Sequence, residues 1–154
     1  MSFTDIEHDL MLCKEHLDKT KTTGTEVESF LTHFLLINIC GKYEKEIKRI
    51  VSKRANKSGD VELTSFIEET FESYKHLNLD DLRGKILRKF SDKYAVAFDK
   101  MIRGTVSELR YQSIVSNRHA SAHGGNINMT LDDLVVAHKE AKLVLQALHD
   151  SLNS

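Results

Sequence analysis

An arginine and two histidines lie within six residues late in the chain, where residues 117–125 read Asn-Arg-His-Ala-Ser-Ala-His-Gly-Gly. The guanidinium of Arg118 has a permanent charge and a forked set of donors that suits phosphate oxygens. The imidazoles of His119 and His123 can accept or donate a proton near neutral pH. Together these side chains are suited to acid–base chemistry on a phosphate ester.

The spacing of the three side chains leaves two chemical interpretations open. His119 and His123 are four residues apart, so on an α-helix they share a face, as two ligands of a metal ion would. A metal needs further ligands, and the common zinc-protease pattern has a glutamate between the histidines, where this chain reads Ala-Ser-Ala. Alternatively Arg118 and His123 work together, although five residues of regular helix turn them about 140° apart.

Arg118 and His123 could still reach one phosphate in any of three ways. The helix could loosen at Gly124, the long side chain of Arg118 could bridge the gap, or two chains could pair and combine their motifs. A purely structural interpretation also stands. In it, His123 interacts with the negative end of the helix and Arg118 forms an ion pair.

The composition favours an all-α protein. The 154 residues include no Pro, no Trp and only seven Gly, and proline both breaks helix interiors and marks tight turns. There is no run of about 18 apolar residues, so we expect no membrane span, and the acidic N-terminus lacks the layout of a secretion signal. Cys13 and Cys40 fall on apolar helix faces. We expect free thiols in a reducing cytoplasm, with a disulfide as the alternative.

Capping signals divide the chain into helices. The longest predicted helix opens at Thr25, with Glu28 at the capping-box distance, and keeps apolar residues at spacings of three and four to about residue 55. The helix that carries the motif opens at Thr105 and ends at Gly124. We find no repeat and no linker, so we expect one domain over residues 1–154. Other helices are predicted from about 4 to 20, from Thr64, from Asn78 or Asp80, from 92 to 103, and from Thr130 to about 152.

Charge alternates along the chain although the net charge is only −1. Residues 42–57 carry seven bases and two acids, and residues 83–103 again carry seven bases and two acids. Each block alone is most simply a solvated helix face. If both lay on one side, they would form a stripe that attracts a polyanion such as RNA. The sequence leaves their relative placement open.

The motif resembles the signature of HEPN domains, which is an Arg, a polar residue, three or more further residues and a His. Arg118 and His119 fill the first two positions, and Ala122-His123-Gly124 fills the end. Residues 76–90 also resemble the middle region of the RiboL-PSP-type HEPN subgroup. The resemblance covers roughly residues 5–152. It implies an all-α, HEPN-like helical bundle with a long second helix, additional short helices and the motif before the closing helix.

The resemblance further implies a metal-independent endoribonuclease of the kind found in toxin–antitoxin and antiphage systems, with no cofactor. In this reaction the 2′-hydroxyl of RNA attacks the adjacent phosphate and leaves a 2′,3′-cyclic phosphate and a 5′-hydroxyl. His123 would be the general acid or base, and Arg118 would stabilise the charge of the transition state. His119 would be a second proton-transfer or orienting group. Asn117 would contact phosphate or hold Arg118.

The expected partners also follow from the resemblance. The family usually works as a homodimer whose two motifs face each other, so RNA would bind a composite site in the cytoplasm. An antitoxin or another defence-system protein would be a further partner. Two alternatives remain: a non-catalytic HEPN module that binds RNA or a protein, and an unrelated helical interaction protein. Tyr43, Glu44 and Lys45 could reach the cleft, but packing of Tyr43 and solvation of the charges is the simpler expectation.

Overall fold

Seven helices make up the part of the chain described here, which is residues 2–74, 77–122 and 127–153 of a computed structural model. Those residues contain no β-strand, so the prediction of an all-α chain is confirmed. None of the described helices is long and apolar enough to cross a lipid bilayer. The helices are α1 (Thr4–Thr20), α2 (Glu26–Asn56), α3 (Val61–Glu72), α4 (residues 79–90), α5 (Asp92–Ile102), α6 (Val106–Ala122) and α7 (Leu131–Asn153).

The long helix α2 is the element around which the others pack. It has 31 residues, so it is about 46 Å long, as the prediction of a long second helix requires. Helices α1, α3, α6 and α7 contact it, and α7 also packs along α5 and α6. Because α2 and α7 each bury a continuous apolar face, they supply much of the core. Their fully buried residues include Leu35, Ile39, Ile47, Leu134 and Leu145.

The start of α2 departs from the predicted capping box in both of its bonds. The Thr25 hydroxyl accepts from the N–H of Val27, as an N-cap should. The Glu28 carboxylate, however, accepts from the N–H of Gly24 at 2.6 Å and not from that of Thr25. The reason is that the Thr25 N–H donates to the carbonyl of Thr22. Residues 104–108 form a similar arrangement at the start of α6, except that the Thr105 hydroxyl accepts from the N–H of Glu108.

Helix α3 begins earlier than predicted. Its N-cap is Asp60, whose carboxylate accepts from the N–H of Leu63 at 2.9 Å. Thr64 lies inside the first turns, where its hydroxyl donates to the carbonyl of Asp60. The prediction of a start at Thr64 was therefore wrong, because Asp60 already satisfies the free N–H groups of the first turn.

Helix α4 contains a π-helical segment, Leu82–Leu87, between two short α-helical turns. Asn78 and Asp81 form a reciprocal capping box at its start, which confirms the first of the two predicted starts. The guanidinium of Arg83, a residue of the π-helical segment, donates to Asp99 of α5 at 2.7 Å and to Glu108 of α6 at 2.6 Å. This partly buried ion-pair network connects three helices at the beginning of the helix that carries the motif.

Candidate functional site

Helix α6 presents three residues of the motif in consecutive positions. It remains helical through Ala122, the residue before His123 in the sequence. Asn117 and Arg118 are partly buried, whereas His119 is exposed, as the turn of about 100° per residue requires. His123 and Gly124 lie outside the described residues. The joint action of Arg118 with His123 and the helix end at Gly124 therefore stay predictions.

Arg118 lines a small cleft between α2 and α6. Within the described residues the cleft has a volume of about 10 Å³, which is room for about one water molecule. Arg118 and Glu44 bring opposite charges to an otherwise mostly apolar lining. Because the cleft is far too small for a nucleotide, a phosphate would meet Arg118 from the solvent side. The other lining residues are Cys40, Tyr43, Ile47, Leu77, Tyr111 and Val115.

The thiol of Cys40 lies close enough to Arg118 for the charge of the guanidinium to affect its pKa. Burial raises the pKa of Cys40 to about 12; the Arg118 guanidinium opposes this shift and the Glu44 carboxylate adds to it. A thiol with this pKa stays protonated at neutral pH, and only the thiolate is a strong nucleophile. Cys40 is therefore a packing residue beneath the cleft and does not act as a nucleophile there.

Tyr43 forms the floor of the cleft and is 2% exposed, which confirms that it packs. Its ring stacks on Tyr111 with centroids 5.8 Å apart and on His138 with centroids 5.8 Å apart. Its hydroxyl is 2.9 Å from Nδ1 of His138. Burial raises the pKa of both tyrosines above the ordinary range. This stack connects α2, α6 and α7, and two of its rings, Tyr43 and Tyr111, line the cleft together with Arg118.

His138 is a buried histidine that its position in the sequence did not single out. Among the described residues, its Nε2 atom has no hydrogen-bond partner. Burial, together with the nearby charge of Lys142, lowers the pKa of His138 to about 4, whereas Glu7 opposes the shift. The ring is therefore neutral at pH 7. Only its place on an apolar face of α7 could have indicated that it is a core residue.

Both ends of the Asn117 amide are engaged within the protein. Nδ2 donates to the carbonyl of Ser113 at 2.9 Å, one turn earlier on α6. Oδ1 accepts from the N–H of Asn128 at 3.0 Å, in the segment before α7. Asn117 thus connects the motif helix to the chain that follows the motif. Neither hydrogen bond involves Arg118. The predicted contact of Asn117 with phosphate stays a prediction.

The described residues offer no obvious metal site. Among them, no three His, Cys, Asp or Glu side chains cluster as ligands of one ion. The alternative of a metal held by His119 and His123 depends on a residue outside this part of the chain. The two cysteines are free thiols, with Cys40 buried and Cys13 partly buried.

Comparison with protein families gives one match that covers nearly the whole chain. The family model of RiboL-PSP-HEPN matches residues 3–154. Comparisons with curated proteins and with solved structures give no significant match. The all-α architecture with a long second helix agrees with the family match. The chain therefore belongs to the RiboL-PSP-HEPN family.

Proposed function

We propose that this chain is a metal-independent endoribonuclease that cleaves RNA by attack of the 2′-hydroxyl on the adjacent phosphate. Membership of the family suggests a nuclease or RNA-binding domain. The observation that supports cleavage is the placement of Arg118. Arg118 is partly buried and lines a cleft with the stacked rings of Tyr43 and Tyr111, on a helix that remains regular up to the residue before His123.

The chemistry needs two kinds of group, and the motif supplies both. One nitrogen base must take the proton of the 2′-hydroxyl or return a proton to the leaving 5′-oxygen, and we assign His123 to this role. The attacked phosphate gains charge on its non-bridging oxygens, which a fixed cation stabilises, and we assign Arg118 to that role. His119 is the second proton-transfer or orienting group. DNA lacks the internal nucleophile, so RNA is the substrate.

A homodimer is part of the proposal, and an exposed apolar stripe on α2 supports it. Phe30 is 72% exposed, Phe34 58% and Ile37 51%, on the face opposite to the buried face of α2. With Val27, their exposed parts amount to roughly 400 Å², about half of what each partner in a standard interface buries. A helix that is apolar on two opposite faces normally packs on both sides.

The stripe also leads toward the cleft. Gly41 lies one turn beyond Ile37 on the same face, and no atom lies within 4 Å of the place where its Cβ would stand. A second copy could therefore approach the helix closely at this point. Glu44, one turn further, lines the cleft with Arg118. A two-fold axis near Gly41, at the end of the stripe, would bring the two Arg118 clefts toward each other and make a composite site.

The decisive experiment is cleavage of RNA by the purified protein in EDTA, with analysis of the ends. We expect 2′,3′-cyclic phosphate and 5′-hydroxyl ends. Arg118→Ala and His123→Ala should each lower the rate by about 10² to 10⁴ while the circular dichroism spectrum stays unchanged. Arg110→Ala, on the same helix, is the matched control and should retain activity. Wild-type protein that leaves RNA intact would refute the proposed reaction.

A mixing experiment tests the composite site. Arg118→Ala and His123→Ala proteins are each expected to be inactive alone. If two chains share one site, mixing them forms heterodimers that regain part of the wild-type rate. If each chain carries a complete site, mixing restores nothing.

The second candidate function is a HEPN module that binds RNA or a protein without cleaving. The small volume of the cleft favours it, because the described residues form no nucleotide-sized pocket at Arg118. Wild-type protein that binds RNA but produces no cyclic phosphate would support this candidate. In the catalytic case, we propose a cytoplasmic toxin or antiphage effector that an antitoxin or another defence protein restrains.

A further inference from the structure

The two basic blocks of the sequence meet at one tyrosine. Arg54, near the end of α2, donates from a guanidinium nitrogen to the hydroxyl of Tyr94 at 2.9 Å. Its guanidinium carbon lies 5.6 Å from the centroid of the same ring. Lys93, from the other block, places its ammonium nitrogen 4.7 Å from that centroid. Two cations from distant parts of the sequence therefore share one aromatic ring.

Two further lysines extend this cluster on α2. Lys53, Arg54 and Lys57 lie within about 100° of arc on the last turns of the helix, so they face one side. We call Lys53, Arg54, Lys57 and Lys93 the basic surface. Lys53, Lys57 and Lys93 are exposed, and Arg54 is partly buried. The polar contact of Lys57 is to the side chain of Asn153, a neutral group.

The nearby acids do not neutralise the basic surface. Among the described residues, none of its four cations has a carboxylate oxygen within 4.0 Å. Asp92 faces Arg88 at 4.0 Å, and the carboxylate of Asp60 accepts from the N–H of Leu63 at the start of α3. Within the described part of the chain, four positive charges are thus grouped without an ion-pair partner, although the whole chain has a net charge of −1.

The basic surface and the cleft lie at different points along the same helix, α2. Glu44 lines the cleft with Arg118, and Arg54 is ten residues further on the same helix, a rise of about 15 Å. A single strand of RNA could therefore pass from Arg118 to the basic surface within a few nucleotides. Clustered lysine and arginine side chains bind phosphates without regard to base sequence.

We propose that the basic surface of Lys53, Arg54, Lys57 and Lys93 binds the phosphodiester backbone of RNA at a distance from the cleavage site. This inference rests on the proposed function, because it takes RNA as the substrate. It adds a second binding region that positions the strand and does not take part in the chemistry. Tyr94 holds Arg54 and Lys93 at a fixed separation, so less conformational entropy is lost on binding.

The test is binding of a single-stranded RNA in which every 2′-hydroxyl is methylated, which removes the attacking nucleophile. Fluorescence anisotropy over a range of salt concentrations gives the affinity and its salt dependence. Lys93→Gln and Arg54→Gln should each weaken binding severalfold at about 50 mM salt and reduce the logarithmic salt slope by about 0.7. Lys139→Gln, which removes one exposed charge from α7, should change neither quantity. If Arg54→Gln proves unstable, Lys53→Gln and Lys57→Gln provide the same comparison.

The outcomes separate this inference from the proposed reaction. Charge variants that bind with the wild-type affinity and salt slope would overturn the basic surface, even if the protein cleaves RNA. Failure of the wild type to bind the methylated strand would overturn it as well. Weaker binding by Lys93→Gln, in a protein that cleaves no RNA, would support the surface and refute the ribonuclease. In an active enzyme, the same variants should raise KM and leave kcat within about twofold of the wild type.

Discussion

The side-chain carbonyl of Asn117 accepts a hydrogen bond from the backbone N–H of Asn128 at 3.0 Å, eleven residues further along the chain. The same amide donates to the carbonyl of Ser113. His123 lies between Asn117 and Asn128 in sequence. One side chain therefore holds the residues on both sides of the motif in fixed relation. In the proposed reaction, we therefore expect Asn117 to act as a positioning residue.

Replacement of Asn117 by Ala should lower kcat for RNA cleavage by about tenfold and leave KM nearly unchanged. It should also lower the free energy of unfolding by about 1–2 kcal/mol, because two hydrogen bonds are lost. Steady-state kinetics and urea denaturation measure the two effects. Gln112→Ala, an exposed change on the same helix, is the control. A higher KM with unchanged kcat would instead mean that Asn117 contacts RNA directly.

Glu28 should contribute much more to the free energy of unfolding than the other acidic residue in the first turn of α2, Glu26. Its carboxylate accepts from the N–H groups of Gly24 and Leu131, and so connects the starts of α2 and α7. Glu28→Ala should lower the free energy of unfolding by about 2–4 kcal/mol, because two N–H groups lose their acceptor. Glu26→Ala, an exposed change in the same turn, should cost less than about 0.5 kcal/mol. Equal effects in urea denaturation would contradict this assignment.

The buried ring of His138 should make the protein sensitive to mild acid. Its pKa is about 4 in the folded chain, below the ordinary value of 6.5, so the unfolded chain takes up the proton first. The contribution of the neutral His138 ring to the free energy of unfolding is complete above pH 6.5. It is lost as the pH falls toward 4. At pH 5 the loss should be about 2 kcal/mol relative to pH 7.5. Urea denaturation at several pH values measures it.

The matched variant for this prediction is His138→Gln, which can still bond to Tyr43. Its free energy of unfolding should vary less between pH 7.5 and pH 5 than that of the wild type. The acidic residues of the chain contribute equally to both proteins, so the difference isolates the histidine. Parallel pH profiles would show that the ring is accessible to protons in the folded state.

The apolar stripe on α2 predicts a homodimer, and it predicts that a charge at Phe34 disrupts the dimer. We expect a dimer at micromolar concentrations by sedimentation or light scattering. Phe34→Glu should convert it to a folded monomer, because a charge at the centre of an interface is costly to bury. Phe66→Glu changes a similarly exposed phenylalanine on α3 and should leave the dimer intact. A wild-type monomer would exclude the stripe as the interface.

Much of the fold could be predicted because local signals determine helix boundaries. Thr25 and Thr130 cap helices where the sequence predicts them, since an N-cap depends only on residues within one turn. The error at Thr64 has a local cause too, because Asp60 is an equally good cap that occurs earlier. The π-helical segment in α4 has no comparable signal, because its apolar residues also fit a regular α-helix.

The sequence suggests the residue types of the candidate site but not their surroundings. The motif identifies Arg118 without any structure, because its spacing is contained in a few residues. The contact of Tyr43 with His138 joins residues 95 apart in sequence, and no local pattern specifies such a partner. The meeting of Arg54 with Lys93 at Tyr94 is a further example. Long-range contacts of this kind appear only when the helices are packed.

The burial of Cys40 beneath Arg118 has a consequence for chemical durability. Burial raises the pKa of this thiol to about 12, so it stays protonated at neutral pH. Peroxides and alkylating reagents attack the ionised form, so the floor of the cleft resists them as long as the chain stays folded.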